Sequence, residues 1–262
     1  MSTPMLTATL EGIGFWTAGL PSWAAARAFA AGSGGTVDTP ARPASQLLAP
    51  NERRRAPDTV AVSLEVALAA CQDAGRDPAT LPSVFTSTHG DLAITDYMCT
   101  TLASDPLAIS PTKFHNSVHN AAAGYWTIGA GATAAATAIS AHRASFAQGL
   151  LEALSQLAAG EAAVLLAGYD SRSTGPLGRV SHSEGLLGGA LVLGAAAQPG
   201  KPRLRVRLAD GDAAAGNGAL ARHAAGNAMA PMLVLFDALA AGAASCTLDA
   251  GDGRCLHVEL QA

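Results

Sequence analysis

The sequence predicts an α/β layered fold around a parallel or mixed sheet. Short stretches of strand character alternate with stretches of helical period, which is the pattern that layered α/β folds produce. The chain has 262 residues, 49% of them hydrophobic and only 14% charged. That is enough apolar material to bury a large core in one domain or one tightly packed pair. The 16 basic and 20 acidic residues leave a net charge of −4, so there is no positive field of the kind that nucleic acid requires.

The segment Ala8-Thr-Leu-Glu-Gly-Ile-Gly-Phe-Trp-Thr17 reads as the first strand. No basic n-region precedes it and Glu11 interrupts the apolar run, so a signal peptide is not expected at this end. Residues 32–55, rich in Gly, Pro, Thr and Ser, read as a surface excursion. It closes on Arg53-Arg54-Arg55, whose bland reading is a solvated loop and whose functional reading is contact with an acidic partner. Residues 59–74 place Val62, Val66 and Ala69 or Ala70 at helical spacing, which suits an amphipathic helix. Ser83-Val-Phe-Thr-Ser87 reads as a short buried strand, with His89-Gly90-Asp91 turning out of its carboxyl end. No run of about 18 uninterrupted apolar residues occurs, so no membrane span and a cytoplasmic location are expected.

Cys71, Cys99, Cys246 and Cys255 show neither C-x-x-C spacing nor neighbouring histidines at zinc-ligand intervals. No metal and no cofactor is expected, and the thiols read as reduced structural side chains, Cys71 on the helix of residues 59–74 and Cys246 and Cys255 on strands. His115 and His119 lie four residues apart, but no H-E-x-x-H arrangement surrounds them. Asn120 is expected to cap or brace the helix that follows. The chain closes with Ser245-Cys-Thr-Leu-Asp249, a turn through Gly251-Asp-Gly253 and the alternating Leu256, Val258 and Leu260, which predict a hairpin.

The stretch from Thr133 to Gly168 carries the functional signal. It reads as strand, sharp turn, helix and strand, and it resembles the nucleophile elbow of the β-ketoacyl synthases of the thiolase superfamily. Two further blocks carry the same resemblance. Leu107-Ala-Ile-Ser-Pro-Thr-Lys-Phe-His-Asn-Ser-Val-His-Asn-Ala-Ala-Ala-Gly124 is similar to the segment before the elbow strand, especially in the chain-length-factor family. Glu184-Gly185 with Ala190-Leu-Val-Leu193 resembles the strand that closes the N-terminal half. Gly12-Ile-Gly-Phe15 is likewise similar to the opening strand of ketosynthases.

This resemblance implies a thiolase-like layered fold with a complete N-terminal half, residues 1–195, and a truncated C-terminal half, residues 196–262, packed on the same core. Counting back from Gly168, with Gly160 at the end of the elbow helix, the position of the reactive cysteine is held by Arg143. A helix N-terminus lowers a thiol pKa because unpaired N–H groups favour negative charge there, whereas an arginine is disfavoured and requires a compensating carboxylate, carbonyl or partner. Gly226-Asn-Ala-Met-Ala-Pro is similar to the helix that follows a Gly-His pair in active synthases, and here the histidine position is Asn227. His223 and His257 stand in the wrong contexts to replace the second histidine.

A condensing synthase needs a thiolate to hold the acyl chain and two histidines to stabilise charge during decarboxylation and attack. With none of these matched, no catalytic residue is assigned. The resemblance implies a catalytically silent chain-length-factor subunit that pairs with an active β-ketoacyl synthase, meets an acyl-carrier protein transiently and shapes the acyl pocket in a polyene pathway. The dimer-edge strand is expected at Ala134, Ala135, Ala136, Thr137, Ala138 and Ile139. Two alternatives are a divergent acyltransferase or decarboxylase using Ser145 or Ser140 beside His142, and a remnant that folds alone without a partner.

Overall fold

In the computed structural model of the chain, the described residues are 5–261. They form an eight-stranded mixed sheet between two layers of helices. The strands are β1 (Leu6–Thr17), β2 (Ser83–Thr86), β3 (Ala136–Ile139), β4 (Ala163–Ser171), β5 (Leu186–Gly194), β6 (Arg203–Asp210), β7 (Ser245–Gly251) and β8 (Arg254–Gln261). Their spatial order is β3-β2-β4-β5-β1-β6-β8-β7. β3, β2 and β4 run parallel, and every other neighbouring pair is antiparallel.

The helices are α1 (Trp23–Ala30), α2 (Pro50–Arg55), α3 (Asp58–Ala74), α4 (Leu92–Ser104), α5 (Pro111–His115), α6 (Ala121–Ala130), α7 (Ser145–Ala158), α8 (Ala219–His223) and α9 (Leu233–Ala241). α3 and α6 cover one face of the sheet; α1, α7, α8 and α9 cover the other. Because strand side chains alternate between faces, β4 sends Val164 and Leu166 toward α7 and α9, and Leu165, Ala167 and Tyr169 toward α3. β4 and β5 are covered on both faces, which explains why they read as continuous apolar runs rather than as alternating ones.

The glycines of Gly12-Ile-Gly-Phe15 set the distance between β1 and α3. A Cβ at Gly14 would stand 1.9 Å from the backbone oxygen of Val66, and one at Gly12 would stand 2.3 Å from that of Ala70. The helix backbone therefore rests directly on the strand. Glu11, the β1 residue before Gly12, is buried and holds Arg76 through two hydrogen bonds of 2.7 and 2.8 Å, with Gln198 donating to the same carboxylate. A residue that breaks an apolar run in the sequence is thus the anchor of an internal ion pair.

Several elements differ from expectation. The alanine-rich stretch after β1 is α1, whose Ser22 accepts from the Ala25 N–H and whose Trp23 packs edge-on against Phe236. The excursion of residues 32–55 is irregular only as far as residue 49 and ends in α2, which carries Arg53, Arg54 and Arg55. Asn120 stands at the start of α6, but its side chain makes no capping hydrogen bond. β6 was missed from the sequence although its Arg203-Leu-Arg-Val-Arg-Leu alternation is a strand pattern, and Leu204 and Val206 join the core. The closing hairpin forms as β7 and β8, and it continues the same sheet beyond β6.

Replacing Gly14 with Ala tests the contact between β1 and α3. Forcing a methyl group against backbone should cost about 1–3 kcal/mol and lower Tm by roughly 2–12 °C. An unchanged melting temperature would show that α3 is free to move off the strand.

Candidate functional site

The three parallel strands deliver their carboxyl ends to one side of the sheet, where α/β folds commonly place binding crevices. β2 runs into Ser87-Thr88-His89, β3 into Ser140 and the elbow turn, and β4 ends near Asp170. A cleft of about 590 Å³ opens there, and its lining includes Thr88, His142, Arg143, Ser181, Asn227 and Asp249. Arg143 and Asn227, 84 positions apart in sequence by their numbers, thus share one cavity.

The elbow forms as strand, 3-10 turn (His142–Ala144) and helix α7. His142 has φ 52, a left-handed conformation that is uncommon for a residue with a side chain. The turn is pinned by Ser145, whose hydroxyl donates to the His142 carbonyl oxygen at 2.7 Å and accepts from the Ala141 N–H at 2.9 Å. Ser140 donates to the Thr88 carbonyl oxygen at 2.9 Å. Both serines therefore bond to backbone oxygens, and neither is coupled to the His142 ring. The Ser145/His142 couple considered from sequence is corrected on this geometry: neighbours on a tight turn brace the turn. Arg143 is exposed in the cleft wall just before α7, and none of the six ion pairs among the described residues includes it.

Asn227 is buried and fully engaged. Its amide donates to the carbonyl oxygens of Asp170 at 3.1 Å and Glu184 at 2.8 Å, and its side-chain oxygen accepts from the Met229 N–H at 2.9 Å. It ties the end of β4 to the start of β5 and to the segment before α9. His142 and His182 share the cleft with Asn227, and His223 borders a second pocket with it. His223 meets the Ala18 carbonyl at 2.9 Å, and His257 sits on β8 with its Nδ1 3.0 Å from Thr247. His115 packs edge-on against Tyr125, while His119 reaches the Ser87 carbonyl at 2.9 Å. Among the described residues, no group of three or more metal-ligating side chains gathers. The four cysteines are free thiols, and burial pushes those of Cys71 and Cys246 up to about 12.

Sequence reading missed the polar centre of this region. Asp170 is buried, and its carboxylate accepts from the Ser87 hydroxyl at 2.6 Å and from the Thr88 N–H at 3.0 Å. Burial raises its pKa to about 6, against the opposing pull of those hydrogen bonds. His89 Nδ1 stands 3.9 Å from the carboxylate, and burial, with His142 and His119 nearby, lowers the pKa of the ring. The two stand close, and burial disfavours the charge of each. The available signal was an aspartate directly after the apolar run Ala163-Val-Leu-Leu-Ala-Gly-Tyr169, at a strand end.

β3 is an edge strand of the sheet and begins at Ala136, so Ala134 and Ala135 precede it instead of belonging to it. The segments leading into it expose large apolar side chains, among them Leu107 at 97% and Ile128 at 71%. No helix among the described residues is long and apolar enough to cross a membrane.

Asp170 gives a pH prediction. A carboxyl group whose folded pKa lies above the unfolded value of 3.8 contributes stability that is fully present below pH 3.8 and lost as pH rises through about 6. The Tm of the native chain minus that of Asp170→Asn should therefore fall as pH is raised from 4 to 7, by an amount corresponding to about 3 kcal/mol. A difference that stays flat with pH, measured by thermal unfolding of both proteins, would contradict the burial of an ionisable group here.

The family model for the beta-ketoacyl synthase N-terminal domain matches residues 23–253. No curated protein matches the chain. Solved structures show its fold. A chain from the complex of the ketosynthase ApeO with its chain length factor ApeC, from Xenorhabdus doucetiae, is 23% identical; the alignment covers 97% of this chain and 99% of that one, with a TM-score of 0.76. The ishigamide ketosynthase/chain length factor is 15% identical over 98% of this chain and 99% of its own, with a TM-score of 0.69. A chain of the type II polyketide synthase assembly AntDE:AntF is 12% identical over 99% of this chain and 100% of its own, with a TM-score of 0.73. The layered sheet is thus the thiolase-like fold of ketosynthases, and the chain belongs to the β-ketoacyl synthase N-terminal domain family.

Proposed function

We propose that the protein is a chain-length-factor-type subunit, silent in condensation, which pairs with an active β-ketoacyl-acyl-carrier-protein synthase and shapes its acyl pocket. The observation that carries this reading is the content of the cleft. At the elbow, where the family presents a thiolate, the wall carries Arg143, and Asn227 in the same cleft is occupied with backbone partners. A guanidinium cannot form an acyl thioester, and an amide engaged on three sides cannot act on a decarboxylating substrate. Two of the matched structures are described as ketosynthase and chain length factor together, which supports the partner, and a third contains an acyl-carrier protein, which supports a transient encounter with one. A polyene-type product and a cytoplasmic setting complete the proposal. In this reading, residues 1–195 are the ketosynthase-like half and residues 196–262 a shortened second half, whose strands β6, β7 and β8 extend the first sheet.

We place the partner along the edge strand β3 and its approach, Ala134, Ala135, Ala136, Thr137, Ala138 and Ile139. Small side chains let a second backbone approach an unpaired edge closely, and the exposed Leu107, Phe114, Val118 and Ile128 supply apolar area beside it. Obligate interfaces bury on the order of 2,000 Å² or more. The decisive experiment is co-expression with the partner synthase followed by size exclusion. A stable heterodimer is the expected result; two separately eluting monomers would end the proposal.

Two substitutions refine it. Ala136→Asp would bury an uncompensated carboxylate in the interface, at a cost of about 3–5 kcal/mol or roughly 100-fold or more in Kd. The complex should dissociate while the subunit keeps its fold; survival of the complex would move the interface elsewhere. Arg143→Ala should leave total condensation by the complex unchanged, because the reactive thiolate belongs to the partner, and should alter product length or heterodimer stability. Loss of turnover in an intact complex would make Arg143 part of the condensing machinery.

A further inference from the structure

Beside the elbow, the cleft holds a second set of reactive groups that the family assignment does not use. Ser181, half-buried in the loop between β4 and β5, lines the cleft, and its hydroxyl lies 2.5 Å from His89 Nε2. The other ring nitrogen of His89 faces Asp170, 3.9 Å away, and the Asp170 carboxylate is held in place by Ser87 and Thr88. The three residues come from the end of β4, the turn after β2 and the β4–β5 loop, so the sheet assembles them although they are remote in sequence. Nucleophile in contact with base, and base beside a buried carboxylate, is the arrangement that activates a serine hydroxyl.

We propose that Ser181, His89 and Asp170 form an acyl-transfer relay that cleaves small acyl thioesters in this cleft. In the first half-reaction Ser181 Oγ attacks the thioester carbonyl carbon while its proton passes to His89 Nε2. The carbon–sulfur bond breaks, and the thiolate leaves with the proton returned from His89, giving a free thiol and an ester on Ser181. In the second half, water attacks that ester, gives a proton to His89 and releases the carboxylic acid, and Ser181 recovers its proton. The sum is thioester plus water to acid plus thiol. Asp170 is a positioning residue: it lies beyond hydrogen-bond reach of the ring and acts by charge, favouring the tautomer with its proton on Nδ1 and stabilising the imidazolium formed during transfer. Val180, Val234 and the alanines of residues 213–215 give the cleft an apolar wall suited to a short acyl chain.

This activity is separate from condensation, since it releases thiol without lengthening a carbon chain, and it is independent of any partner synthase. The full chain is incubated with a fluorophosphonate probe and, separately, with hexanoyl-pantetheine. The expected result is one covalent adduct, mapped to Ser181 by mass spectrometry, and catalytic release of thiol. Ser181→Ala, which removes one oxygen from a half-buried loop, should abolish both, and His89→Gln should slow both by roughly 100-fold or more. The groups facing His89 are Asp170 at the end of β4, His119 before α6, His142 in the elbow turn and Ser181 itself. The rate should therefore fall only below the ordinary histidine range, because burial lowers the ring's pKa. Asp170→Asn should lower the rate above pH 6, where the native carboxylate carries its charge, and should approach the native rate below it, a pH-dependent loss that loss of packing alone would not produce. Folded protein that forms no adduct, releases no thiol, or keeps either activity in Ser181→Ala would overturn the relay.

Discussion

The structure of the cleft depends on one buried carboxylate. Asp170 sits at the end of β4 with no solvent to hydrate it, so it must be satisfied by the turn that follows β2. Meeting that requirement fixes Ser87 and Thr88, and with them the direction in which His89 leaves the strand. The backbone carbonyl of the same residue accepts from Asn227, which in turn holds Glu184 at the head of β5 and the segment before α9. Segments spread from residue 87 to residue 229 are therefore tied together through one residue. The depth of burial that makes the carboxylate costly also makes it an effective organiser, because each compensating bond acts in a medium of low dielectric.

The elbow is held by its own backbone. The left-handed His142 and the Ser145 brace reproduce a sharp turn between β3 and α7, a geometry suited to presenting one side chain to a cleft. The helix start favours negative charge. Arg143 brings positive charge to that place, with no carboxylate of this chain engaged to it among the described residues. A cation so placed is satisfied by water, by an anionic ligand or by a second protein.

Much of the fold was legible because its periods are local. The helix of residues 59–74 and strands β1, β2, β4, β7 and β8 each carry their own apolar spacing, and the elbow could be read from β3 through β4. β6 carries the same alternation as β8, in Arg203-Leu-Arg-Val-Arg-Leu208, and was passed over. α1 carried no assignment from the sequence, because alanine spacing gives little contrast between faces. Arg143 and Asn227 could be singled out from the sequence only through a resemblance to ketosynthase motifs; their meeting in one cleft follows from strand order, which no local spacing encodes.

By itself the sequence determined the apolar runs of β4 and β5, the Gly-Ile-Gly that admits α3 to β1, and the absence of cysteine from the elbow, since each is a matter of residue identity at neighbouring positions. Only the tertiary structure decided that β6, β7 and β8 continue the first sheet instead of forming a second one, because pairing partners lie far apart along the chain. It also decided which serine meets a histidine. Ser145 and Ser140 stand beside His142 in sequence and bond to backbone, while Ser181, 92 positions from His89, stands 2.5 Å from its ring. A tight turn directs its own side chains apart, and converging strand ends bring distant ones together.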